Sequence, residues 1–233
     1  MRILAIDSSA GPASCAVTED GRVLACSSIN RKMTHSQTLM PMLDDMLHNA
    51  ALSLSEIDLL AVSAGPGSFT GVRIGVSAVK GMAFAENKPC APVSTLAAIA
   101  HNVDSCPFEG IVCGVMDARC GQVYTACFRL SGGVLSRLTP DEAISVAVLG
   151  ERLCAYQEPV WLMGDGAALC YTALRDIVPE LWLAPEAMRY QSATGVAAEA
   201  ARMATDGETV TAERLMPMYL RLPQAERERL ARG

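Results

Sequence analysis

Leu59-Leu60-Ala61-Val62-Ser63-Ala64-Gly65-Pro66-Gly67-Ser68-Phe69-Thr70-Gly71-Val72-Arg73-Ile74-Gly75 runs from an apolar stretch through a glycine-rich turn straight into a helical pattern. The order predicts a strand, a tight loop and a helix N-terminus, which together offer backbone N–H groups and the positive end of a helix dipole. Neither common phosphate loop fits. The P-loop needs Lys and then Ser or Thr after its last glycine, whereas Val72 and Arg73 follow Gly71. The dinucleotide pattern G-x-G-x-x-G fails by one residue, because Gly65, Gly67 and Gly71 read G-x-G-x-x-x-G. Two readings of these glycines stay open: contact with an anion, or a turn that lets strand and helix pack closely.

The helix that follows is too apolar for an ordinary surface element. From Gly71 to Glu86 the only polar side chains before its end are Arg73, Ser77 and Lys80. A surface helix should show a polar face on the side away from the core. Gly71, Gly75, Ala78 and Ala85 instead form a stripe of small residues, while Val72, Val76, Val79 and Ala83 can serve the chain's own core. One side of the helix is explained by its own sheet. The other side wants a second layer or a partner.

Composition points the same way. The 233 residues suffice for one large domain or two small ones, and 51% are hydrophobic. Mean hydropathy is +0.25, yet no apolar run approaches the ~20 residues of a membrane span. Extra surface buried against a partner is the simpler account. Met1-Arg2-Ile3-Leu4-Ala5-Ile6-Asp7 reads as a strand ending in an acid, too short in its apolar part for a signal peptide, so a cytoplasmic protein is expected. Net charge is −6, with no basic stripe of the kind that grips nucleic acid. The one basic cluster, Arg221, Arg227, Arg229 and Arg232, is interleaved with Glu226 and Glu228 and reads as a solvated end. Nine cysteines include no C-x-x-C pair. Cys106, Cys113, Cys120 and Cys127 recur every seven residues, but an odd spacing alternates faces along a strand, so the four do not converge on one metal. They are expected to be reduced core residues.

The chain also repeats a layout. Ile3–Asp7, Cys15–Val17 and Gly21–Leu24 form strand, acid, turn, strand, turn, strand; Cys113–Asp117, Val123–Ala126 and Gly132–Leu135 do the same. After the first meander the periodicity predicts a helix Ser36–Ala50, a strand Ile57–Ala64, the helix Gly71–Glu86, a strand near Cys90–Val93 and a helix from Thr95. After the second it predicts a helix near Val146–Tyr156, a strand Val160–Met163, and helices Ala167–Ile177 and Ala193–Thr205. The expectation is an α/β protein built by duplication, with subdomains 1–104 and 105–233, each a mixed sheet flanked by helices. This plan resembles the actin-like ATPase (ASKHA) fold. In that fold each meander's first turn meets phosphate or its metal through an acid followed by small residues. Asp7, Ser8, Ser9 and Asp117 stand at those places, but Ser8 and Ala118 replace the glycine that lets backbone close on phosphate. They are expected to be vestiges of a nucleotide site.

Hydrolytic chemistry finds little support. The three histidines, His35, His48 and His101, fall at helix ends, where capping or dipole roles suffice. Neither a G-x-S-x-G elbow nor an H-E-x-x-H pair occurs. In the helix Ser36–Ala50, the stripe Leu39, Met42, Leu43, Met46, Leu47 and Ala50 fits a core, and Met40 widens it toward a surface suited to irregular contacts.

Five landmarks in order resemble the bacterial TsaB (YeaZ) family: Arg2–Ser8, His35–Pro41, the loop Gly65–Gly75, Asp117–Tyr124 and Pro217–Arg221. The resemblance implies a noncatalytic subunit of the assembly that makes threonylcarbamoyladenosine beside the anticodon of tRNA. Its implied partners are a TsaD-type paralogue, which transfers the group, and a TsaE-type ATPase. A homodimer is implied when the chain is alone, with no tight tRNA contact and no membrane. TsaD holds a metal through a His-Leu-Glu-Gly-His segment; Thr95 and Ile99 stand where its two histidines would be, so neither a metal nor a catalytic residue is expected here. No cofactor of its own is implied, beyond a nucleotide at the partner interface. Pairing through the first-domain helices assigns the interface to Leu39, Met40, Leu43, Leu47, Gly71, Ile74, Gly75, Ala78 and Met82. Two other functions compete with the scaffold: an independent actin-fold ATPase or kinase, suggested by Asp7, Asp117 and Gly164-Asp165-Gly166, and a metallopeptidase.

Overall fold

A strand that is apolar on both faces belongs in the middle of a sheet covered on both sides. Strand β1 (Arg2–Asp7) is such a strand: Leu4 and Ile6 point into one core cluster, Ile3 and Ala5 into another. The computed structural model describes residues 1–31, 33–104 and 106–221. The tail cations Arg227, Arg229 and Arg232, with Glu226 and Glu228, lie outside the described residues.

The first half continues with β2 (Ala13–Glu19), β3 (Arg22–Ile29), α1 (His35–Asn49), β4 (Leu59–Gly65), α2 (Phe69–Glu86), β5 (Cys90–Ser94) and α3 (Thr95–Ala100). The second half holds β6 (Gly110–Asp117), β7 (Gln122–Ser131), β8 (Val134–Arg137), β9 (Glu142–Ser145), α4 (Val146–Cys154), β10 (Val160–Met163), α5 (Ala167–Leu174), β11 (Leu181–Leu183), α6 (Glu186–Arg189) and α7 (Ala193–Thr205). The strand orders are β3-β2-β1-β4-β5 and β8-β7-β6-β10-β11. In both sheets the meander strands pair antiparallel and the later strands parallel. The duplicated plan expected from the repeated layout is therefore present in topology and direction. Among the described residues, no helix is long and apolar enough to cross a membrane.

Three short elements, β9, β11 and α6, were not expected from the sequence. They span four, three and four residues, too few to show a period. Helix α2 begins before Gly71, because Ser68 caps it by accepting from the Gly71 N–H at 3.3 Å. It ends at Asn87, whose φ of 50° is the left-handed conformation that stops a helix.

The halves exchange their last helices. Leu96, Ala97, Ile99 and Ala100 of α3 pack on the second sheet against Val112, Met116, Ala126 and Phe128. Ala193, Val196, Ala197 and Ala200 of α7 pack on the first sheet against Ile3, Ala5, Ala16, Ala61 and Ala91. Alanines on both sides let α7 lie close to the strands. Where α3 and α7 cross, a Cβ at Gly195 would overlap the carbonyl oxygen of Ala98, so only glycine fits without a shift. The chain then stays with the first half: Val210 forms an antiparallel bridge with Cys90, and Leu215 enters the core under α1 and α2.

A polar clamp locks this crossing. His101, at the C-terminus of α3, shares hydrogen bonds with Asp104 Oδ2 (2.6 Å, Nδ1) and with Glu199 Oε2 of α7 (2.9 Å, Nε2). Arg202 donates to the same Glu199 at 2.8 Å. Burial works against the imidazolium, but the two carboxylates outweigh it and lift His101 to about 9. Burial likewise opposes the Glu199 carboxylate, yet His101 and Arg202 hold it down at about 2. A histidine whose folded pKa is raised stabilises fully below its unfolded value near ~6.5, and that contribution is lost as pH rises through the folded value. Chemical denaturation of the wild type should therefore show stability falling between neutral pH and pH 9 relative to His101→Gln. Parallel pH profiles for the two proteins would exclude a charged clamp.

Candidate functional site

Both meanders use their acid in the same local way. The N–H of Ser9 donates to Asp7 Oδ1 at 2.9 Å, and the N–H of Arg119 donates to Asp117 Oδ1 at 2.8 Å. Each carboxylate closes its own turn. Beyond this the halves differ. Asp7 is fully buried and also accepts from the hydroxyls of Ser9, at 2.8 Å, and Ser63. Burial pushes its pKa up, against the pull of these hydrogen bonds. Asp117 keeps 31% of its side chain exposed, next to Arg119 at 3.4 Å.

The glycine loop is what seals Asp7. Ser68 N–H donates to the Ser9 carbonyl at 2.7 Å, and Ser8 Oγ donates to the Gly71 carbonyl at 2.9 Å. A Cβ on Gly67 or Gly71 would run into the carbonyls of Ser9 and Ser8, and one on Gly75 into Ser8 Oγ. Three glycines thus serve close packing on the β1–β2 turn, Gly67 and Gly71 against its backbone and Gly75 against the Ser8 side chain, the second of the two readings the sequence left open. Ser8 and Ser9 are as buried as Asp7. In the second half, a Cβ on Gly164 or Gly166 would similarly press on Val115 and Asp117, but Asp117 stays at the surface of the cleft.

That cleft lies between the halves, with a volume of about 530 Å³, and Thr70, Asp117, Arg119, Tyr124 and Asp165 are among its lining residues. The segment Pro217–Arg221 straps its rim. Met218 N–H donates to the Ala64 carbonyl at 2.7 Å, and Arg221 Nη1 donates to the Ala118 carbonyl of the other half at 2.7 Å. Between them Tyr219 packs on Phe69 with ring centroids 5.0 Å apart and accepts from Arg73 Nε at 2.8 Å. The Arg73 guanidinium lies 3.8 Å over the Phe69 ring.

A second depression, of about 500 Å³, opens between α1 and α2 on the outer face of the first half. Here the nine residues assigned to an interface separate into two sets. Leu39, Leu43, Leu47, Gly71, Gly75 and Met82 are buried in the chain's own fold. Met40, 44% exposed, and the half-buried Ile74 and Ala78 reach the surface and line the depression, and of the buried set Leu39 also lines it. Phe69, Thr70 and Arg73, which the sequence reading did not assign, line it too. Arg73, an isolated cation in the first turns of an apolar helix, was the signal for them. Phe84, 74% exposed, stands further along α2. His35 lies at this rim and bonds the Ala10 carbonyl through Nε2 at 2.7 Å, tying α1 to the β1–β2 turn, while Thr34 is the N-cap.

Thr95 and Ile99 sit one turn apart on α3, fully buried between the sheets. Thr95 Oγ1 has no hydrogen-bond partner among the described residues. Among those residues, no group of three or more His, Cys, Asp or Glu is placed to hold a metal ion.

Two mixed sheets, each flanked by helices, with exchanged inner helices and a cleft between two acid-bearing turns, define an actin-like ATPase fold. The (R)-2-hydroxyglutaryl-CoA dehydratase component A of Acidaminococcus fermentans shares it, with a TM-score of 0.50 at 13% identity over 88% of this chain and 99% of that one. The family model for TsaD, tRNA N6-adenosine threonylcarbamoyltransferase, matches residues 22–228. The tRNA threonylcarbamoyladenosine biosynthesis protein TsaB of Bacillus subtilis is 31% identical over 97% of this chain and 96% of its own length. YeaZ from Pseudomonas aeruginosa superposes with a TM-score of 0.78 at 30% identity, covering 94% of this chain and 99% of that one. The chain belongs to the TsaB (YeaZ) family.

The geometry around Asp7 sets an expected outcome. Asp7→Asn keeps an oxygen for the two Ser9 donors and offers an N–H to Ser63, so its stability should stay within about 1 kcal/mol of wild type. Asp7→Ala orphans three buried donors and should lose about 1–3 kcal/mol or more in urea denaturation.

Proposed function

We propose that this chain is the noncatalytic subunit of a tRNA threonylcarbamoyladenosine-forming assembly. In this reading it binds a TsaD-type paralogue through the α1–α2 depression and supports transfer of the threonylcarbamoyl group to the adenosine beside the anticodon. A TsaE-type ATPase joins the assembly, and the chain pairs with itself through the same face when alone. The observation that carries the reading is the sealed β1 turn. Asp7, the acid that an actin-fold enzyme would turn toward phosphate or its metal, is saturated by protein donors and shut behind Gly67 and Gly71. A group that touches no solvent has no route to substrate. A nucleotide would act at the partner interface, and no cofactor is held by this subunit.

Membership of the TsaB family supports the pathway, and the partner face follows from what α2 leaves uncovered. Met40, Phe69, Ile74 and Ala78 present apolar surface around the depression between α1 and α2. A matching helix pair from a paralogue of the same fold is the natural cover for such a face. The cleft beside Asp117 keeps an independent ATPase or kinase as the competing reading. Calorimetry of the lone chain with ATP and Mg²⁺ separates the two, since tight binding with turnover would support the enzyme.

Ala78→Arg should abolish both self-association and co-purification with a TsaD-type protein while leaving the fold unchanged. A guanidinium buried between close helices without a facing acid costs several kcal/mol. Size-exclusion chromatography with light scattering reads the outcome, and a variant that still pairs moves the interface elsewhere.

In the assembled complex, Asp7→Asn and Asp117→Ala should each leave transfer within about tenfold of wild type. Loss of an essential catalytic group costs about 10²–10⁴-fold. A folded, assembled variant that is dead in the transfer assay would overturn the noncatalytic reading.

A further inference from the structure

The seven-residue cysteine spacing has a consequence that strand alternation alone hides. Cys113 lies on β6 and Cys127 on β7, and the antiparallel register places them directly opposite each other. Cys127 turns both backbone groups away from β6: its N–H donates to Thr139 Oγ1 at 2.9 Å, and its carbonyl accepts from the Leu138 N–H at 2.8 Å. The pair is therefore a non-hydrogen-bonded one, the type whose Cα atoms stand about 4.5 Å apart. That separation lies at the short end of the range a disulfide spans, about 4.4–6.8 Å. Both side chains point to the same core, toward α4 and α5. Both are free thiols.

The ladder on the outer edge of β7 is interrupted at this place. Residues Gln122–Thr125 of β7 pair with β9, and Phe128–Ser131 pair with β8. Ala126 and Cys127 fall in the gap between the two partner strands, where side-chain and loop contacts replace a ladder. Such a gap opens at lower cost than the ladder on either side, and its opening would admit a small molecule to Cys127, which is buried in the closed fold.

We propose that Cys113 and Cys127 are an oxidisable dithiol, closed to an intramolecular disulfide by hydrogen peroxide. The Cys127 thiolate attacks one peroxide oxygen and breaks the O–O bond, which leaves a sulfenic acid on Cys127 and releases hydroxide. The Cys113 sulfur then attacks Cys127; the S–S bond forms, and the sulfenic oxygen departs as water with the Cys113 proton. Two thiols lose two electrons, and one peroxide becomes two waters once the hydroxide recovers the proton that Cys127 gave up. The division of roles follows from position: Cys127 borders the gap between β8 and β9, whereas Cys113 is wholly buried on β6. The Cys113 sulfur lies 3.4 Å from Thr125 Oγ1, and its interaction with the facing Cys127 holds Cys127 below the usual thiol range and Cys113 well above it. The new bond would tie β6 to β7 behind the turn that carries Asp117.

The test uses the full chain with its exposed cysteines Cys26, Cys120 and Cys154 changed to Ser. It is exposed to a peroxide dose that consumes free glutathione, then alkylated in denaturant and mapped by peptide mass spectrometry. The expected product is a Cys113–Cys127 linked peptide lacking the two thiol hydrogens and restored by dithiothreitol. With Cys113→Ala, dimedone should label Cys127 at least tenfold more than it does in the parent. Recovery of both thiols in the alkylated, unlinked form overturns the proposal whatever the variant does. A linked peptide pairing either cysteine with Cys170 or Cys106 instead overturns the assignment of partners.

Discussion

The fold depends on one close crossing. Helices α3 and α7 meet where Gly195 leaves no room for a side chain against the Ala98 carbonyl, and each helix covers the sheet of the other half. Neither sheet is closed by its own sequence segment. Burying the inner face of either one requires both halves, so the interior of the molecule forms cooperatively. The charged clamp of His101, Glu199 and Arg202 at the same crossing sets the register of two helices that alanine packing alone would leave free to slide.

That crossing aims the two meander turns at a shared cleft, and the glycine loop then makes the halves unequal. In the first half a turn Asp7–Ser9 is covered by backbone from Gly67 to Gly71, so its hydrogen bonds are satisfied internally. In the second half the short Gly164–Gly166 loop packs on Val115 and Asp117 but leaves Asp117 reachable. The same strand-acid-turn device is thus a sealed structural joint on one side and an open wall on the other. The strap Pro217–Arg221 fastens the sealed side to the open one through Arg221 and Ala118, and it holds Phe69 and Arg73 at the boundary between the cleft and the α1–α2 depression.

Much of this was legible in the residues. The apolar runs Ile3–Ile6 and Leu59–Ala64, the repeated acid-turn layout and the helical spacing from Leu39 to Leu47 depend on local periodicity, which the observed β1, β4 and α1 follow. The elements of three or four residues, β9, β11 and α6, escaped because no period fits within them. For the site, the excess of apolar surface on α2 was readable, but its division was not. Gly71 and Gly75 look as suited to a partner helix as to the chain's own turn; they meet Ser8 because the loop before α2 folds back over β1.

What residue order and composition carry on their own is the alternation of strands and helices, the duplication and the family pattern of the loop Gly65–Gly75, since these rest on neighbours in sequence. Contacts between distant segments needed three dimensions. The exchange of α3 and α7, the burial of Asp7 behind a loop some sixty residues later, and the meeting of Cys113 with Cys127 across a hairpin all follow from packing and register. Periodicity tells a residue which face it takes, but it does not say which face of another element comes to lie against it.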